Sequence, residues 1–377
     1  MAGIYFHIPF CKRICSYCDF YRTALLKEVP QVVDKMCEEV QKRADYLHGE
    51  KLTTRYFGGG TPSLLSLPQL EKLLNVTARN FDCSAVEETT LEANPDDLTE
   101  AYLRGLKQLG IDRLSLGIQS FDDDALRLMN RRHTAAEAVA AVKRAQDAGF
   151  ENLTIDLIFG VPGFGGQKLE QSIRTALSLG VQHISAYLLT IEPNTRFGKM
   201  AEKGLLKEIS DEEAEAEYLL MHNTLTAAGM EHYEVSNYAL PSFRARHNSH
   251  YWDSTPYLGI GPAAHSYDGK SRQWNIADIY YYVRGIEEGN PQYEIEHLTE
   301  NERYNDAILT RLRTLDGLPL EWFARKFSEK LNKHMIASAN KHLDRGTLTR
   351  TSEGNIRLTK KGIFISDAIM RDLIYID

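Results

Sequence analysis

The sequence predicts an α/β protein, a partial (β/α)6 TIM-like barrel of parallel strands followed by a smaller winged-helix-like α+β domain. Three observations lead to this prediction. Short β-branched or aromatic runs alternate with segments of helical periodicity in the first half of the chain, and such alternation is typical of parallel βαβ units. Nearly every run ends in a polar or glycine-rich sequence, and the composition changes near residue 300.

The predicted strands are residues 3–8, 54–57, 89–92, 113–117, 153–159 and 183–189. Between them, residues 32–47 and 134–148 place their apolar side chains on one helical stripe. Six strands are fewer than the eight of a closed barrel, so we expect an open barrel with a wide mouth. Polar or glycine-rich sequences mark the ends of five strands: HIPFC, FGGGTPS, LEANPDD, SLGIQSF and IDLIFGVPG. The carboxyl ends of barrel strands form the active face, so these sequences predict the functional site.

We expect the chain to divide into three segments. Residues 1–230 form the barrel with its cysteine loop, and residues 231–299 form a loop-rich segment with short strands that closes the open side. Residues 300–377 form the winged-helix-like domain. Within this domain, residues 302–315 and 320–345 are predicted to be helical, and residues 347–359 to form a hairpin that turns at 353–355.

Composition limits the classes of function. The chain has 377 residues, of which 43% are apolar and 25% charged, a profile typical of soluble globular enzymes. A net charge of -8 argues against a general affinity for nucleic acid or an anionic membrane. The sequence shows no signal peptide and no apolar run near the ~18 residues of a membrane span. We therefore expect a cytoplasmic protein with reduced thiols.

Three of the five cysteines lie within eight residues: Cys11, Cys15 and Cys18, in the pattern C-x3-C-x2-C. Clustered cysteines in a reducing compartment indicate a metal or cluster site rather than a disulfide framework. Three thiolates on one loop can hold three irons of a four-iron, four-sulfur cluster. The fourth iron is then open to chelation by the amine and carboxylate of an amino acid, which S-adenosylmethionine offers.

Two other interpretations of the cysteines remain open at this point. Positions i, i+4 and i+7 share a helical face, so the three side chains could be buried in a core. Pro9 and the charged Lys12 and Arg13 favour an exposed loop instead. A structural zinc site with His7 or Asp19 as the fourth ligand is the second alternative, although zinc ligands are usually paired as C-x2-C.

The cysteine pattern, followed by GGGTP, resembles the radical S-adenosylmethionine (SAM) superfamily. The stretch YFHIPFCKRICSYCDF resembles the subgroup of oxygen-independent coproporphyrinogen III oxidase and its relatives. LEANPDD, LSLGIQSF, IDLIFGVPG, LLTIEPNT, YEVSNYA and GIGPAAHS follow in the order of that subgroup, so specific motifs extend from residue 4 to about 270.

The resemblance implies that Cys11, Cys15 and Cys18 ligate the cluster. It also implies that glycine backbone approaches SAM, that two acidic side chains accept from its amine and ribose hydroxyls, and that an arginine pairs with its carboxylate. The implied SAM residues are Tyr5, Tyr17, Gly59, Gly60, Thr61, Glu92, Gln119, Arg131 and Asp156. No residue is assigned as catalytic.

Two departures from the oxidase point to a different branch of the subgroup. The oxidase has a further cysteine two residues after the third, where this chain has Asp19-Phe20, and an N-terminal extension, where this chain has ten residues before Cys11. Both resemble the HemW-type haem chaperones. RHNSHYW resembles their HNxxYW haem motif, which implies haem binding by four residues: His247, Asn248, Tyr251 and Trp252. His250 and His265 are alternative iron ligands.

The favoured function is a haem chaperone that binds haem, SAM and the cluster and passes haem to an acceptor protein of unknown identity. The alternative is an enzyme, an oxygen-independent coproporphyrinogen III dehydrogenase. The resemblance further implies an electron donor to the cluster. A nucleic-acid regulator is disfavoured, because the +3 net charge of residues 300–377 is interspersed and forms no basic stripe. Peripheral membrane contact is compatible with haem donation, although no amphipathic basic helix requires it.

Overall fold

The computed structural model describes residues 1–376. Twelve strands form one large sheet, in the order β12-β11-β10-β9-β1-β2-β3-β4-β5-β6-β8-β7. The strands of this sheet are β1 (Ala2–Ile8), β2 (Leu52–Gly59), β3 (Glu88–Ala93), β4 (Arg113–Gln119), β5 (Asn152–Phe159), β6 (His183–Leu188), β7 (Glu231–Glu234), β8 (Asn237–Ala239), β9 (Tyr257–Ile260), β10 (His265–Tyr267), β11 (Ser271–Asn275) and β12 (Tyr293–His297). A separate hairpin pairs β13 (Leu348–Arg350) with β14 (Ile356–Leu358).

The helices alternate with the strands in the first half of the chain and dominate the C-terminal part. They are α1 (Val29–Lys42), α2 (Leu67–Asn80), α3 (Glu100–Gln108), α4 (Asp123–Leu128), α5 (Ala135–Asp147), α6 (Gln167–Ser178), α7 (Arg196–Glu202), α8 (Asp211–Ala227), α9 (Arg246–Asp253), α10 (Ile279–Glu287), α11 (Glu300–Arg311), α12 (Leu320–Lys326), α13 (Glu329–Asp344), α14 (Lys360–Ile363) and α15 (Ser366–Leu373).

The α/β prediction is confirmed. Strands β1 to β6 are neighbours in chain order and pair in parallel, with at least one helix between each consecutive pair. Each predicted strand lies within two residues of its observed bounds. Residues from β2 to β6 line one common cavity, which shows that this sheet is curved around it.

Residues 231–299 extend both edges of the six-stranded sheet. Strand β8 pairs antiparallel with β6 and carries β7, whereas β9 pairs in parallel with β1 and carries β10 to β12. These are the short strands that the sequence predicts. The segment also contains the two helices α9 and α10, which the expectation of a loop-rich segment does not include.

The C-terminal helices and the β13–β14 hairpin enclose an apolar core of their own, formed by residues between 304 and 373. The hairpin lies where the sequence predicts it. The prediction of a single helix over residues 320–345 is wrong. The chain forms two helices there, because the backbone is extended at Phe327 and α13 begins after Ser328. This break lets the Phe327 ring pack edge-on against Tyr304 at 5.6 Å, and the Asn332 side-chain amide donates to the Phe327 carbonyl at 2.8 Å.

No helix within residues 1–376 has the length and apolar character that a membrane crossing requires.

A buried carboxylate ties α1 to the segment that flanks β1. Glu39 on α1 is 6% exposed. Its oxygens accept from the Gly261 backbone amide at 2.9 Å, the Asn275 amide at 2.7 Å and the Tyr282 hydroxyl at 2.7 Å, and Arg43 pairs with it at 3.1 Å. One charged side chain therefore satisfies three donors that lie more than 200 residues away in sequence.

Glu39→Ala is expected to lower the free energy of unfolding by about 3–5 kcal/mol, because it leaves buried donors and Arg43 without their partner. Glu38→Ala, on the same helix and with a half-exposed side chain, is the matched control and should change the stability by about 0.5 kcal/mol or less. Urea unfolding followed by circular dichroism measures both. Equal midpoints for the two variants would contradict this role of Glu39.

Candidate functional site

The three clustered cysteines lie on an irregular loop directly after β1. All three are partly exposed, and none is in a helix. The loop is fixed from several sides. The Cys11 amide donates to the Thr23 carbonyl at 2.9 Å and the Ser16 amide to the Met129 carbonyl at 3.0 Å, and the Asn130 side chain donates to the Ile14 carbonyl at 2.8 Å. The interpretation of a buried helical core is therefore wrong.

The thiols are free and line one cavity of about 380 Å³ at the carboxyl ends of the strands. Burial raises the pKa of Cys11, and it raises that of Cys18 to about 11. The Arg131 guanidinium donates to Cys15 Sγ at 3.1 Å, and the Thr61 hydroxyl donates to Cys11 Sγ at 3.4 Å. A metal that bound here would displace the thiol protons.

No three His, Cys, Asp or Glu side chains within residues 1–376 converge on one point as a single metal ion requires. Both ring nitrogens of His7, the suggested fourth zinc ligand, are already engaged, at 3.0 Å from the Tyr5 hydroxyl and 3.2 Å from the Tyr21 carbonyl. Three free thiols that line one cavity are compatible with a cluster in which each cysteine binds a different iron.

The glycine-rich turn after β2 forms the cavity wall beside the cysteine loop. Gly59 has a φ of 106°, and a Cβ there would lie 2.7 Å from the His7 ring. A Cβ on Gly60 would lie 2.7 Å from the Ile8 carbonyl oxygen. Both positions therefore require glycine, and the close approach leaves backbone rather than side chain at the cavity surface.

Two half-buried carboxylates face the cavity from β3 and β5. Burial raises the pKa of Glu92 to about 7, although the Tyr56 hydroxyl at 2.7 Å and the Gly59 amide at 3.0 Å donate to its charged form. Burial also raises the pKa of Asp156 to about 6, against hydrogen bonds from two serines. The motif IDLIFGVPG, which contains Asp156, predicts the end of a strand. Asp156 itself lies in the middle of β5, so the prediction that it lies at a strand end is wrong.

Arg131 is a half-buried cation of the cavity, which Arg13 and Arg22 also line. Its guanidinium contacts Cys15, the Gly117 carbonyl and, at 2.7 Å, Asn94 Oδ1. The Nε atom is buried and has no partner, which marks a donor that a bound anionic group can satisfy. The cavity thus holds this positive charge as well as the two carboxylates, so it is electrostatically matched to a zwitterion.

All the predicted cluster and SAM residues except Tyr5 line this one cavity. Tyr5 lies on β1 outside the lining, with its hydroxyl 3.0 Å from His7 Nδ1. The sequence interpretation missed six further polar lining residues: Arg13, Arg22, Asn94, Ser115, Tyr187 and Thr190. Asn94 lies within LEANPDD and Tyr187 lies at the end of β6, so the strand-end argument applies to both.

The predicted haem motif lies on α9, at the opposite end of the barrel from the cysteines. Glu88, the first residue of β3, accepts from the Arg246 and His247 backbone amides, both at 3.0 Å, and so caps the start of this helix. The His247 ring stacks on Tyr56 at 5.0 Å inside the curved sheet. Helix α9 therefore plugs the barrel from its amino end.

His247 is fully enclosed. It is 0% exposed, and its ring nitrogens lie 2.8 Å from the Thr54 hydroxyl and 3.0 Å from the Tyr251 hydroxyl. Burial lowers its pKa well below the usual range. Both ring nitrogens of His247 are hydrogen-bonded in this conformation, and its role as a haem-iron ligand stays a prediction.

The other residues of the predicted haem site are more accessible. Asn248 and Trp252 are half-buried on α9. Of the alternative ligands, His250 lies 3.4 Å from the Thr54 hydroxyl, and His265 is exposed and stacks on Trp274 at 5.9 Å. His247 and His250 thus meet at the Thr54 hydroxyl with their rings 5.9 Å apart, whereas His265 lies on β10.

Comparisons with family models and with known proteins point to the same group of proteins. Residues 5–176 match the Radical SAM superfamily, and residues 298–365 match the HemN C-terminal domain. The chain is 36% identical over 373 residues to the heme chaperone HemW of Bacillus subtilis, covering 98% of each chain. It is 37% identical over 327 residues to the heme chaperone HemW of Escherichia coli, covering 84% of each.

A solved structure shares the fold. Coproporphyrinogen III oxidase (HemN) from Escherichia coli, a radical SAM enzyme, superposes with a TM-score of 0.84 over 99% of this chain and 90% of its own, at 21% identity. At that identity the match concerns the fold alone. It supports both the curved parallel sheet and the helical C-terminal domain.

Proposed function

Because the chain belongs to the HemW family of haem chaperones, within the radical SAM superfamily, we propose that it binds haem and transfers it to acceptor proteins. The observation that carries this proposal is the 36% identity to a heme chaperone over 98% of the chain. The acceptor protein, the electron donor to the cluster, contact with a membrane and a cytoplasmic location stay predictions from the sequence.

Membership of the radical SAM family implies a four-iron, four-sulfur cluster and SAM. We assign Cys11, Cys15 and Cys18 as the cluster ligands, because their free thiols line one cavity of a chain that matches the radical SAM family. When bound, the cluster would supply an iron with an open position that the amine and carboxylate of SAM can chelate. It would also supply an electron that can cleave the C–S bond of SAM. Arg131, which donates to Cys15 Sγ at 3.1 Å, would stabilise the charge of the thiolate.

The SAM assignment follows from the charges of the cavity. Glu92 and Asp156 would accept from the amine and the ribose hydroxyls, and Arg131 Nε, which has no partner, would donate to the carboxylate. The Gly59-Gly60 backbone would approach the methionyl group closely. Gln119 and Thr61 complete the lining, and Tyr17 covers the cysteine side of the cavity. Tyr5 would act indirectly, by holding His7 against Gly59.

Coproporphyrinogen III dehydrogenase activity is the second candidate, because the fold matches an oxidase of that type. The sequence around the third cysteine favours haem carriage, since Asp19 and Phe20 stand where the oxidase has a further cysteine. In the structure Phe20 is 70% exposed and lines the mouth of the cavity, so an apolar side chain replaces a thiol at this position.

Haem added to the anaerobically reconstituted chain is expected to give a ligated Soret band, and mixing with a haem-free acceptor apoprotein should move that band to the acceptor. In parallel, coproporphyrinogen III with SAM and a reductant should give no efficient formation of protoporphyrinogen. The two assays separate the candidates, because the enzyme would turn over its substrate and the chaperone would not. Efficient decarboxylation would contradict the proposal.

Substitution of Cys11, Cys15 or Cys18 by serine is expected to abolish the visible absorption of the reconstituted cluster, since each thiolate holds one iron. Wild type should contain about four irons and four sulfides per chain. Cys37→Ser and Cys83→Ser, which alter cysteines outside the cavity, are the matched controls and should keep the full content. Stoichiometric zinc without visible absorption would refute the cluster.

The affinity for SAM is expected to fall on acidification. Glu92 has a pKa of about 7 and Asp156 a pKa of about 6, so both lose their charge as the pH drops through these values and no longer attract the ammonium group. The dissociation constant, measured by anaerobic equilibrium dialysis, should rise about tenfold between about pH 8 and pH 6. Glu92→Gln should flatten this profile. Tighter binding at low pH would contradict the assignment.

A further inference from the structure

The cysteine loop is closed by its own backbone. Phe10 and Thr23 form a parallel bridge, and the Cys11 amide donates to the Thr23 carbonyl at 2.9 Å. The chain that follows Cys18 therefore returns to the first cysteine within a few residues. This closure places Arg22, the residue before Thr23, beside the start of the cysteine motif.

Arg22 lines the same cavity as the three thiols. Its guanidinium donates to the Phe20 carbonyl at 2.7 Å, a contact that holds the charged group within the loop. The Nε atom is buried and has no hydrogen-bond partner. Buried donors are nearly always satisfied, so this N–H group points to an acceptor that the polypeptide does not supply.

No carboxylate neutralises Arg22. Within residues 1–376 it forms no ion pair, and its guanidinium donates to a backbone carbonyl instead. Asp19, the nearest acidic residue in sequence, is exposed. Arginine side chains that are withdrawn from water are usually paired with a negative charge. The charge of Arg22 is therefore available to an anionic group in the cavity.

Two arginines divide the three thiols between them. Arg131 donates to Cys15 Sγ at 3.1 Å. Burial raises the pKa of Cys11 and of Cys18, and the nearby positive charge of Arg22 partly offsets this effect at both thiols. All three predicted ligands thus have an arginine charge close by, and Arg22 covers the two that Arg131 does not contact.

A four-iron, four-sulfur cluster on three thiolates is anionic. The oxidised core carries two positive charges against three thiolate charges, which leaves one net negative charge. One electron from an external low-potential reductant makes this two negative charges, while no bond forms or breaks and no proton moves. A nearby cation stabilises the reduced form more than the oxidised form, since the attraction grows with the negative charge. Hydrogen bonds to the sulfurs also affect the potential.

We propose that Arg22 tunes the reduction potential of the cluster. Its charge and its unpartnered Nε–H group stabilise the reduced form, so that the cluster accepts an electron more readily than it would with Arg131 alone. The inference rests on the proposed cluster and adds a residue to its site. Arg22 lies four residues after Cys18, so the cysteine motif by itself does not include it.

The test is an anaerobic redox titration of the reconstituted full chain without SAM, followed by visible absorption and by electron paramagnetic resonance of the reduced cluster. In Arg22→Gln the ratio of reduced to oxidised cluster at a fixed solution potential is expected to fall about tenfold, because a partly buried charge is lost. For a one-electron couple this corresponds to a midpoint about 59 mV lower. Arg22→Lys, which keeps the charge, should stay within about threefold of wild type.

Arg13→Gln is the matched control. Arg13 also belongs to the cysteine loop and lines the cavity, but its side chain is exposed, so water and salt screen its charge. This variant should change the ratio by about twofold or less. Equal shifts in Arg13→Gln and Arg22→Gln would overturn the specific role of Arg22, since any cation of the loop would then have the same effect.

Cluster content separates tuning from a purely structural role. The signal of the reduced cluster comes only from chains that hold one, so partial loading of Arg22→Gln leaves its midpoint measurable. Loss of the cluster in both Arg22→Gln and Arg22→Lys would overturn the inference, whereas loss in Arg22→Gln alone would support the requirement for a charge. A wild-type midpoint in Arg22→Gln would overturn this inference alone. Wild type that assembled no cluster would instead refute the proposed function.

Discussion

The placement of β1 between two parallel neighbours is the constraint on which the site depends. β1 pairs with β2 along its whole length and with β9 on its other side, so the chain that leaves its carboxyl end can emerge only at the cavity. Gly60 packs against that exit, where a Cβ would lie 2.7 Å from the Ile8 carbonyl. The cysteine loop and the glycine turn are thus positioned by the same pair of strands, and a shift of one would displace the other.

Much of this arrangement is predictable from the sequence, because it depends on local patterns. Strand runs, helical stripes and polar strand ends are encoded within a few residues of one another, and parallel strands must bring their carboxyl ends together. Together with the family resemblance, these patterns assign Glu92, Gln119 and Arg131 to one site. Asp156 also lines this cavity, but from the middle of β5 rather than from its end, since a motif does not give the register of a strand.

The rest depends on contacts between residues far apart in the chain. The enclosure of His247 requires Thr54 on β2, and the cap of its helix requires Glu88 on β3. The break before α13 follows from the burial of Phe327 against Tyr304, and Ser328 at the N-cap of α13 is its single local signal. A second cavity, lined by residues 222–235 and residues 312–366, is likewise built from two segments that are distant in sequence.

The pairing of β1 with β9 also bears on how the protein is made. β1 leaves the ribosome before every other strand of the sheet, yet its second partner spans Tyr257–Ile260, so one edge of the strand stays open until most of the chain has been synthesised. Open strand edges promote aggregation, and domains generally begin to fold from the N-terminal side during synthesis. The loop at Cys11 directly follows β1, so it reaches its final position only after the closing segment has emerged.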